Sequence, residues 1–317
     1  WPLPYGVSYN SYLIDDETVA LVDTVDICYF EVYLRKIKSI IGERPIQYLI
    51  INHMEPDHAA SMEEVLLRYP NCKVISNEKA FMFMRQFGFE LDGRKIEVKE
   101  GDTLSLGSHT LQFIMAPMIH WPEVMMSYEQ SEKVLFAADA FGKFGTLDTQ
   151  EDWDCEARRY YFNIVGKYGA QVQTLLKKAA NLDIRTICSL HGPILKENLG
   201  YYIEKYNIWS SYEPEDAGVL VAYASIYGNT RAAALKLAEL FREAGVEKVA
   251  VTDLAREDMA EALEDAFRYD RMVLAASTYD GGMFPAMEEF LHHLKAKNYQ
   301  KRTVGLIENG SWAPASG

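Results

Sequence analysis

No stretch of this sequence approaches the ~18 consecutive apolar residues that a membrane-spanning helix needs. The longest runs, such as Tyr48-Leu49-Ile50-Ile51 and Met272-Val273-Leu274-Ala275-Ala276, have the length of buried strands. No basic-then-apolar leader opens the chain, and a cytoplasmic protein is expected. Cysteine is scarce: Cys28, Cys72, Cys155 and Cys188 form no CxxC pair, which argues for reduced thiols and against a disulfide frame or a zinc ribbon. Positive charge is in deficit, with 32 Lys and Arg against 46 Asp and Glu and a formal net charge of -14. That balance argues against a nucleic-acid surface or an anchor on anionic membrane. Also missing are the GxGxxG of a pyrophosphate-binding loop, the GxxxxGK[ST] of a triphosphate site, and any internal repeat or low-complexity tract. What is there is 317 residues, 49% of them hydrophobic, enough for two cores.

Residues 1 to about 210 mix strands and helices. Apolar runs at Val19 to Val22, Ile46 to Ile51, Lys73 to Ile75, Leu111 to Met115, Val134 to Ala138 and Ile184 to Ser189 predict strands. Helical patterns cover Phe30 to Ile41, Ala59 to Tyr69, Glu78 to Phe87 and Tyr160 to Asn181. The polar, proline-bearing stretch Ser210 to Ala217 marks a boundary, giving domains 1–212 and 213–317. Beyond it strand and helix alternate: Val219 to Ala224, helix Thr230 to Ala244, Val249 to Thr252, helix Met259 to Ala266, Met272 to Ser277, helix Pro285 to Lys295, and Thr303 to Ile307. In the first of these helices Ala234, Leu237, Ala238 and Phe241 fall on one face, and Gly245 supplies the stop. This is the pattern of a doubly wound parallel sheet. The chain opens at Trp1, and its last strand-like run has no helix after it to cover it. Further segments are therefore expected at the C-terminus, with a short one at the N-terminus.

The most informative stretch is Ile50-Ile51-Asn52-His53-Met54-Glu55-Pro56-Asp57-His58, a buried strand running into a loop that holds four potential ligands. Three more candidates sit where other strands end: His120 beyond Leu111 to Met115, Asp139 closing Val134 to Ala138, and His191 after Ile184 to Ser189. Strand ends converging on one sheet edge would gather His53, Glu55, Asp57, His58, His120, Asp139 and His191. Seven nitrogen and oxygen ligands exceed what one ion needs. Two ions sharing a bridging carboxylate fit the count, and a set without thiolate suits iron, manganese or zinc. Trp121-Pro122-Glu123, next to His120, either walls the pocket, meets a flavin or packs a turn; Phe81 to Met84 read as core, and His292 and His293 as residues without a chemical role.

A second constellation lies in the C-terminal half. The strand Val219 to Ala224 ends in Ser225-Ile226-Tyr227-Gly228-Asn229-Thr230 and then a helix. Hydroxyls, an amide, a flexible glycine and the free N–H groups of a helix start make a phosphate cradle without lysine, suited to a monophosphate dianion. Two later strand ends, Ser277-Thr278-Tyr279-Asp280-Gly281-Gly282 and Asn309-Gly310-Ser311-Trp312, supply the other loops that a flat ring needs at the carboxyl edge of such a sheet, with Tyr279 and Trp312 as stacking faces. This trio resembles flavodoxin and implies FMN.

The H-x-E-x-D-H cluster, with His120 sixty-two positions after His58, Asp139 nineteen later and His191 fifty-two after that, resembles the flavodiiron proteins, or A-type flavoproteins, over nearly the whole chain. The resemblance implies an α/β protein, a metallo-β-lactamase-like αββα sandwich followed by a flavodoxin-like sheet that is C-terminally incomplete here. Superfamily hydrolases carry H-x-H-x-D-H and usually bind zinc, so Glu55 in the second slot points to iron. Carried over by position, one iron takes His53, Glu55 and His120, the other Asp57 and His191, with Asp139 bridging. The histidine matching His58 turns away from the metal in some relatives. A pocket tyrosine, Tyr160 or Tyr161, is expected to hydrogen-bond a metal-bound species. The implied function is reduction of O2 to water or NO to nitrous oxide, with electrons passing from a rubredoxin-like or other donor through FMN to two iron ions. A head-to-tail homodimer or dimer of dimers brings the FMN of one subunit to the metal site of the next. The competing readings are a di-zinc hydrolase and a flavin electron carrier with vestigial metal residues.

Overall fold

The computed structural model describes residues 2–91, 93–149 and 152–317. The chain divides into two compact units. The first is Leu3–Trp153 with Thr174–Ile203; the second is Asp154–Gln173 with Glu204–Gly317, to which Pro2 is added. No helix among the described residues is long and apolar enough to cross a membrane.

In the first unit, strands β1 (Tyr12–Ile14), β2 (Ala20–Val22), β3 (Tyr48–Ile50), β4 (Lys73–Ser76) and β5 (Lys95–Glu97) lie side by side in chain order. The first pair is antiparallel and the rest are parallel. Helices α1 (Phe30–Ile41), α2 (Pro56–Ala59), α3 (Met62–Arg68) and α4 (Glu78–Gln86) are interleaved with them. A second sheet contains β6 (Thr103–Ser105), β7 (Thr110–Met115), β8 (Met125–Glu129), β9 (Val134–Phe136) and β10 (Thr186–Cys188), in the order β10-β9-β8-β7-β6. The alternation of side chains along each strand builds two cores. Ala20, Val22, Ile50 and Ile75 meet Phe113, Met125, Phe136 and Cys188 between the sheets, while Leu21, Leu49 and Val74 turn to Leu34, Ile37 and Ile41 of α1. This is the expected sandwich. The sequence reading missed β1, β5, β6 and β8.

The single helix expected from Tyr160 to Asn181 is in fact two, α5 (Trp153–Ile164) and α6 (Gly169–Ala179), separated by a 3-10 turn at Gly166–Tyr168. The break falls where the chain approaches α7 (Leu199–Ser210): a Cβ on Gly169 would collide with the Ser210 carbonyl.

The second unit carries the regular alternation: β11 (Asp216–Ala224), α8 (Asn229–Glu243), β12 (Val249–Asp253), α9 (Met259–Arg268), β13 (Tyr269–Tyr279), β14 (Gly282–Met283), α10 (Pro285–Ala296) and β15 (Thr303–Asn309). Strands β12, β11, β13 and β15 pair in that order, all parallel, and β14 hairpins back on β13. Ala234 and Ala238 are buried, with Leu237 and Phe241 packed beside them, as the helical spacing requires.

Glu215, in the polar stretch read as a domain boundary, is anchored by buried partners. Within the second unit the Glu215 side chain, 7% exposed, accepts hydrogen bonds from Arg158 Nε at 2.7 Å and Nη2 at 2.9 Å, from Trp209 Nε1 at 2.7 Å, and from Lys205. Arg158 also meets the buried Glu264 of α9. These bonds tie α5 and α7 into the second unit, and the compact division falls at Asp154, Gln173 and Glu204. Burial pushes the Glu215 carboxyl up, but the Arg158, Lys205 and Trp209 bonds outweigh it and hold it at about 2. A depressed carboxyl stabilises the fold above its ordinary range and loses that contribution as pH falls towards 2. Glu215→Gln should therefore cost on the order of 2–4 kcal/mol at neutral pH by urea denaturation, because it leaves Arg158 short of a buried partner. The deficit relative to wild type should narrow as pH drops below 4.5.

Candidate metal centre and flavin site

The seven residues picked from strand ends converge in the first unit as two adjoining groups, His53 with Glu55, His120 and Asp139, and Asp57 with His58 and His191. The loop after β3 provides four of them: Pro56 starts the short helix α2, which carries Asp57 and His58. His53 Nε2 lies 3.2 Å from Glu55 Oε2 and 3.4 Å from Asp139 Oδ2, and His120 Nε2 lies 3.0 Å from each of the same two oxygens. In the other group His58 Nε2 is 3.3 Å from both Asp57 Oδ2 and Asp139 Oδ1, and His191 Nε2 is 3.4 Å from Asp57 Oδ2. Asp139 therefore offers Oδ2 to one group and Oδ1 to the other. His58 Nε2 and His191 Nε2 stand 3.0 Å apart.

The surrounding protein holds these rings by their far nitrogens. His53 Nδ1 donates to Glu123 Oε1 at 2.8 Å, and His191 Nδ1 donates to the Ser8 carbonyl at 2.8 Å, so both Nε2 atoms face inward. Glu123, 1% exposed, also accepts the Met54 N–H. Asp23, at the end of β2, accepts the N–H groups of Asn52 and His53 and fixes the turn; burial lifts its carboxyl to about 7 against those bonds. His58 is different: its Nδ1 is buried and has no hydrogen-bond partner. Trp121 packs edge-on to His53 at 5.3 Å, and Tyr9 stands 5.8 Å from His191, so aromatic walls flank both groups. Burial opposes charge throughout. Nevertheless His53 is raised well above its usual range, by Asp139, Glu123 and Glu55, while Asp139 is held well below its own by His53 and His58. Glu55, also desolvated, is held at about 2 by His120 and His53.

This donor set fits cations. Nitrogen lone pairs and carboxylate oxygens crowd one volume without a thiolate, buried Asp57 Oδ1 and Asp139 Oδ1 have no hydrogen-bond donor, and the second carboxylate, Glu55, is 36% exposed at the open side. Sequence reasoning missed Glu123, Ser8 and Asp23 as supports. It also missed Lys143, whose ammonium is buried without a hydrogen-bond partner in the turn after Asp139. Glu123 had drawn attention only within Trp121-Pro122-Glu123, read as a pocket wall, a flavin contact or turn packing. The expected pocket tyrosines lie on α5, outside the unit that carries the metal residues. Tyr160 is 2% exposed, and the ring of Tyr161 is enclosed by Phe162, Tyr206 and Trp209.

In the second unit the three expected loops meet at the carboxyl edge of the sheet. Thr230 Oγ1 lies 2.8 Å from Ser277 Oγ and accepts from Asn309 Nδ2 at 3.0 Å, while Ser225 Oγ accepts the Gly228 N–H at 3.1 Å. The hydroxyls of Ser225, Thr230 and Ser277 are buried and linked to the neighbouring loops, while the Ser225 hydroxyl, an acceptor in its bond, keeps its proton to donate. The groups facing outward are Asn229, Tyr227, Asp280, Gly281 and Ser311. Gly228, at φ 94°, turns the chain into α8, whose N-terminus has no side-chain cap. Tyr227 and Trp312 are 92% and 81% exposed and Tyr279 is 46% exposed, large faces left for a flat ring. Thr278 is tied to the Ala315 N–H, and Gly282 and Gly310 complete the turns.

Fold and site together define a β-lactamase-type sandwich with a two-group nitrogen and oxygen cage, joined to a flavodoxin-type sheet. The profile of the ODP family β-lactamase matches residues 7–192, and that of a flavodoxin domain matches 220–312. An uncharacterized protein of Methanocaldococcus jannaschii is 34% identical over 301 residues, 92% of this chain and 75% of that one. The anaerobic nitric oxide reductase flavorubredoxin of Vibrio vulnificus is 29% identical over 97% of this chain, which spans only 64% of that protein's length. Among solved structures, the flavodiiron protein of Giardia intestinalis superposes with a TM-score of 0.93 at 25% identity, covering 100% of this chain and 79% of that one. The rubredoxin oxygen:oxidoreductase of Desulfovibrio gigas gives 0.91 at 28%, covering 98% and 80%. The chain belongs to the ODP family of β-lactamase-like proteins and, with its flavodoxin domain, to the flavodiiron proteins.

Removing the support of a ligand-bearing ring should show in metal binding before it shows in folding. Glu123→Gln is expected to weaken divalent-cation binding roughly 10- to 100-fold in a chelator competition, with an unchanged far-UV spectrum.

Proposed function

We propose that this protein is a flavodiiron oxidoreductase that reduces O2 to water, NO to nitrous oxide, or both. The single observation that carries the proposal is the carboxylate of Asp139, placed between two ligand groups with one oxygen towards each. In this reading His53, Glu55 and His120 would hold one iron and Asp57 and His191 the other, with Asp139 shared between the two groups and His58 beside the second. When bound, the iron pair supplies Lewis acidity and electrons to the diatomic, and FMN supplies electrons to the pair.

The chain's own contribution is to hold, shield and balance charge. Glu123 and Ser8 keep the protons of His53 and His191 on Nδ1, so their Nε2 lone pairs stay available. Three carboxylates offset cationic charge, and Glu55 adds the hard oxygen that favours iron over zinc. Trp121 packs edge-on against His53 and Tyr9 packs beside His191, so an aromatic ring supports one imidazole in each group. At the flavin site the uncapped N-terminus of α8 and Asn229 would hold the FMN phosphate, and the exposed rings of Tyr227, Tyr279 and Trp312 would stack on its flat ring. Tyr161 is left out of this machinery because its ring is committed to an aromatic core.

The names of the relatives support a gas-reducing reading, and the name of the Desulfovibrio gigas enzyme supports a rubredoxin-type donor. We further propose functional modules at 1–212 and 213–317, a head-to-tail dimer, and a cytoplasmic setting, the last in keeping with four free cysteines. A di-zinc hydrolase is not favoured, because it explains neither Glu55 nor the flavodoxin domain.

Reduced protein loaded with iron and FMN should consume NO or O2 in separate anaerobic gas-electrode assays. Two zinc ions per chain without yellow flavin absorbance would refute the reading. Asp139→Asn should strip or scramble both irons and abolish turnover. His58→Asn should keep most of the iron, since nothing anchors the far nitrogen of His58; equal metal loss in the two variants would count against a bridging Asp139.

A further inference from the structure

The outer face of the second sheet is incompletely covered by α6, and the gap is an apolar cavity of about 350 Å3 within the first unit. Met126, Leu135 and Ile187 form its floor, because along β8, β9 and β10 they alternate with Met125, Phe136 and Cys188, which face the core between the sheets. Leu176 and Ala179 of α6 line the opposite wall, and Ile203 of α7, 37% exposed, marks the outer edge. Every residue lining the cavity is apolar. The cavity opens to solvent past the exposed Ala180 and Ile203, and none of its side chains offers the water that reaches it a hydrogen bond. A ligand of drug size needs a few polar groups to orient it, and the side chains here provide none. A small nonpolar molecule needs neither.

The cavity also has a defined position relative to the metal centre. Phe141 lines it and lies two residues beyond Asp139, in a turn closed by the Gly142 N–H on the Asp139 carbonyl at 3.1 Å. One turn therefore carries both a wall of the cavity and the carboxylate shared by the two ligand groups. We infer that this cavity receives the diatomic substrate, O2 or NO, as an apolar reservoir beside the metal centre, an inference that rests on the gas-reductase reading above. O2 and NO are uncharged and form at most weak hydrogen bonds, so they leave water for such a space without an unpaired polar group on either side.

Xenon, an apolar atom of similar size, is the probe. In crystals of the wild-type protein pressurised with xenon, a xenon peak is expected between Leu135, Ile187 and Leu176. Ala179→Trp should fill the space, remove that peak and raise the KM for the gas severalfold, with kcat, iron and FMN content unchanged. Ala179→Leu, a milder filler, should lower xenon occupancy and move KM in the same direction should the tryptophan variant fail to fold. Absence of xenon from the wild-type cavity, or a filled cavity with wild-type KM, overturns the reservoir while leaving the redox reading intact. Wild-type protein that consumes neither gas overturns the substrate assignment through the reading on which it rests.

Discussion

Four imidazoles and two further carboxylates are packed around one buried carboxylate, Asp139, and this crowding is the constraint on which the first unit depends. Asp139 is 1% exposed, and His53 and His58 are completely buried. Taking so many ionisable groups out of water is costly unless each finds a countercharge or a cation. Protons on the histidines can play that part, which is why His53, His120 and His191 are all raised while Asp139 is held down. A pair of cations satisfies the same oxygens and nitrogens with far less repulsion between rings, such as the 3.0 Å approach of His58 and His191. The sandwich serves this cage. Strands β3, β7, β9 and β10 end at one edge, and Asp23, Glu123 and the Ser8 carbonyl accept hydrogen bonds that keep the loops in place.

Much of this was legible because the ligands sit where apolar runs stop. The run Ile50-Ile51 followed by His53, Val134 to Ala138 followed by Asp139, and Ile184 to Ser189 followed by His191 placed all three at strand ends, and those ends do converge. The supporting residues were less visible. Glu123 acts through a contact seventy positions away in sequence, and Ser8 contributes only its backbone carbonyl, to which no side-chain pattern points. Strands β5 and β6 are three residues each and half-exposed, too short to set a period. Strand β8 is buried at all five positions and so shows no alternation.

In the C-terminal half the regular alternation of strand and helix fixed nearly every element, and the three loops meet as expected. Its chemistry was only partly legible. The hydroxyls of Ser225 and Thr230, picked as phosphate ligands, also knit the loops together, a supporting part that the sequence pattern did not suggest. The break between α5 and α6 had a local signal that the helical reading passed over, Gly166 and Gly169, while the close approach of the Ser210 backbone, which only glycine at 169 permits, joins distant segments. The Glu215 cluster makes the same point for the polar boundary stretch, whose charge is paired only once the buried Arg158 is placed against it.

The central claim is that Asp139 joins two iron ions, and anomalous diffraction above the iron K-edge from crystals of iron-loaded protein tests it most directly. The account predicts two peaks flanking that carboxylate, one among His53, Glu55 and His120 and the other beside Asp57 and His191. A single peak, or two peaks that appear only at the zinc edge, would contradict it.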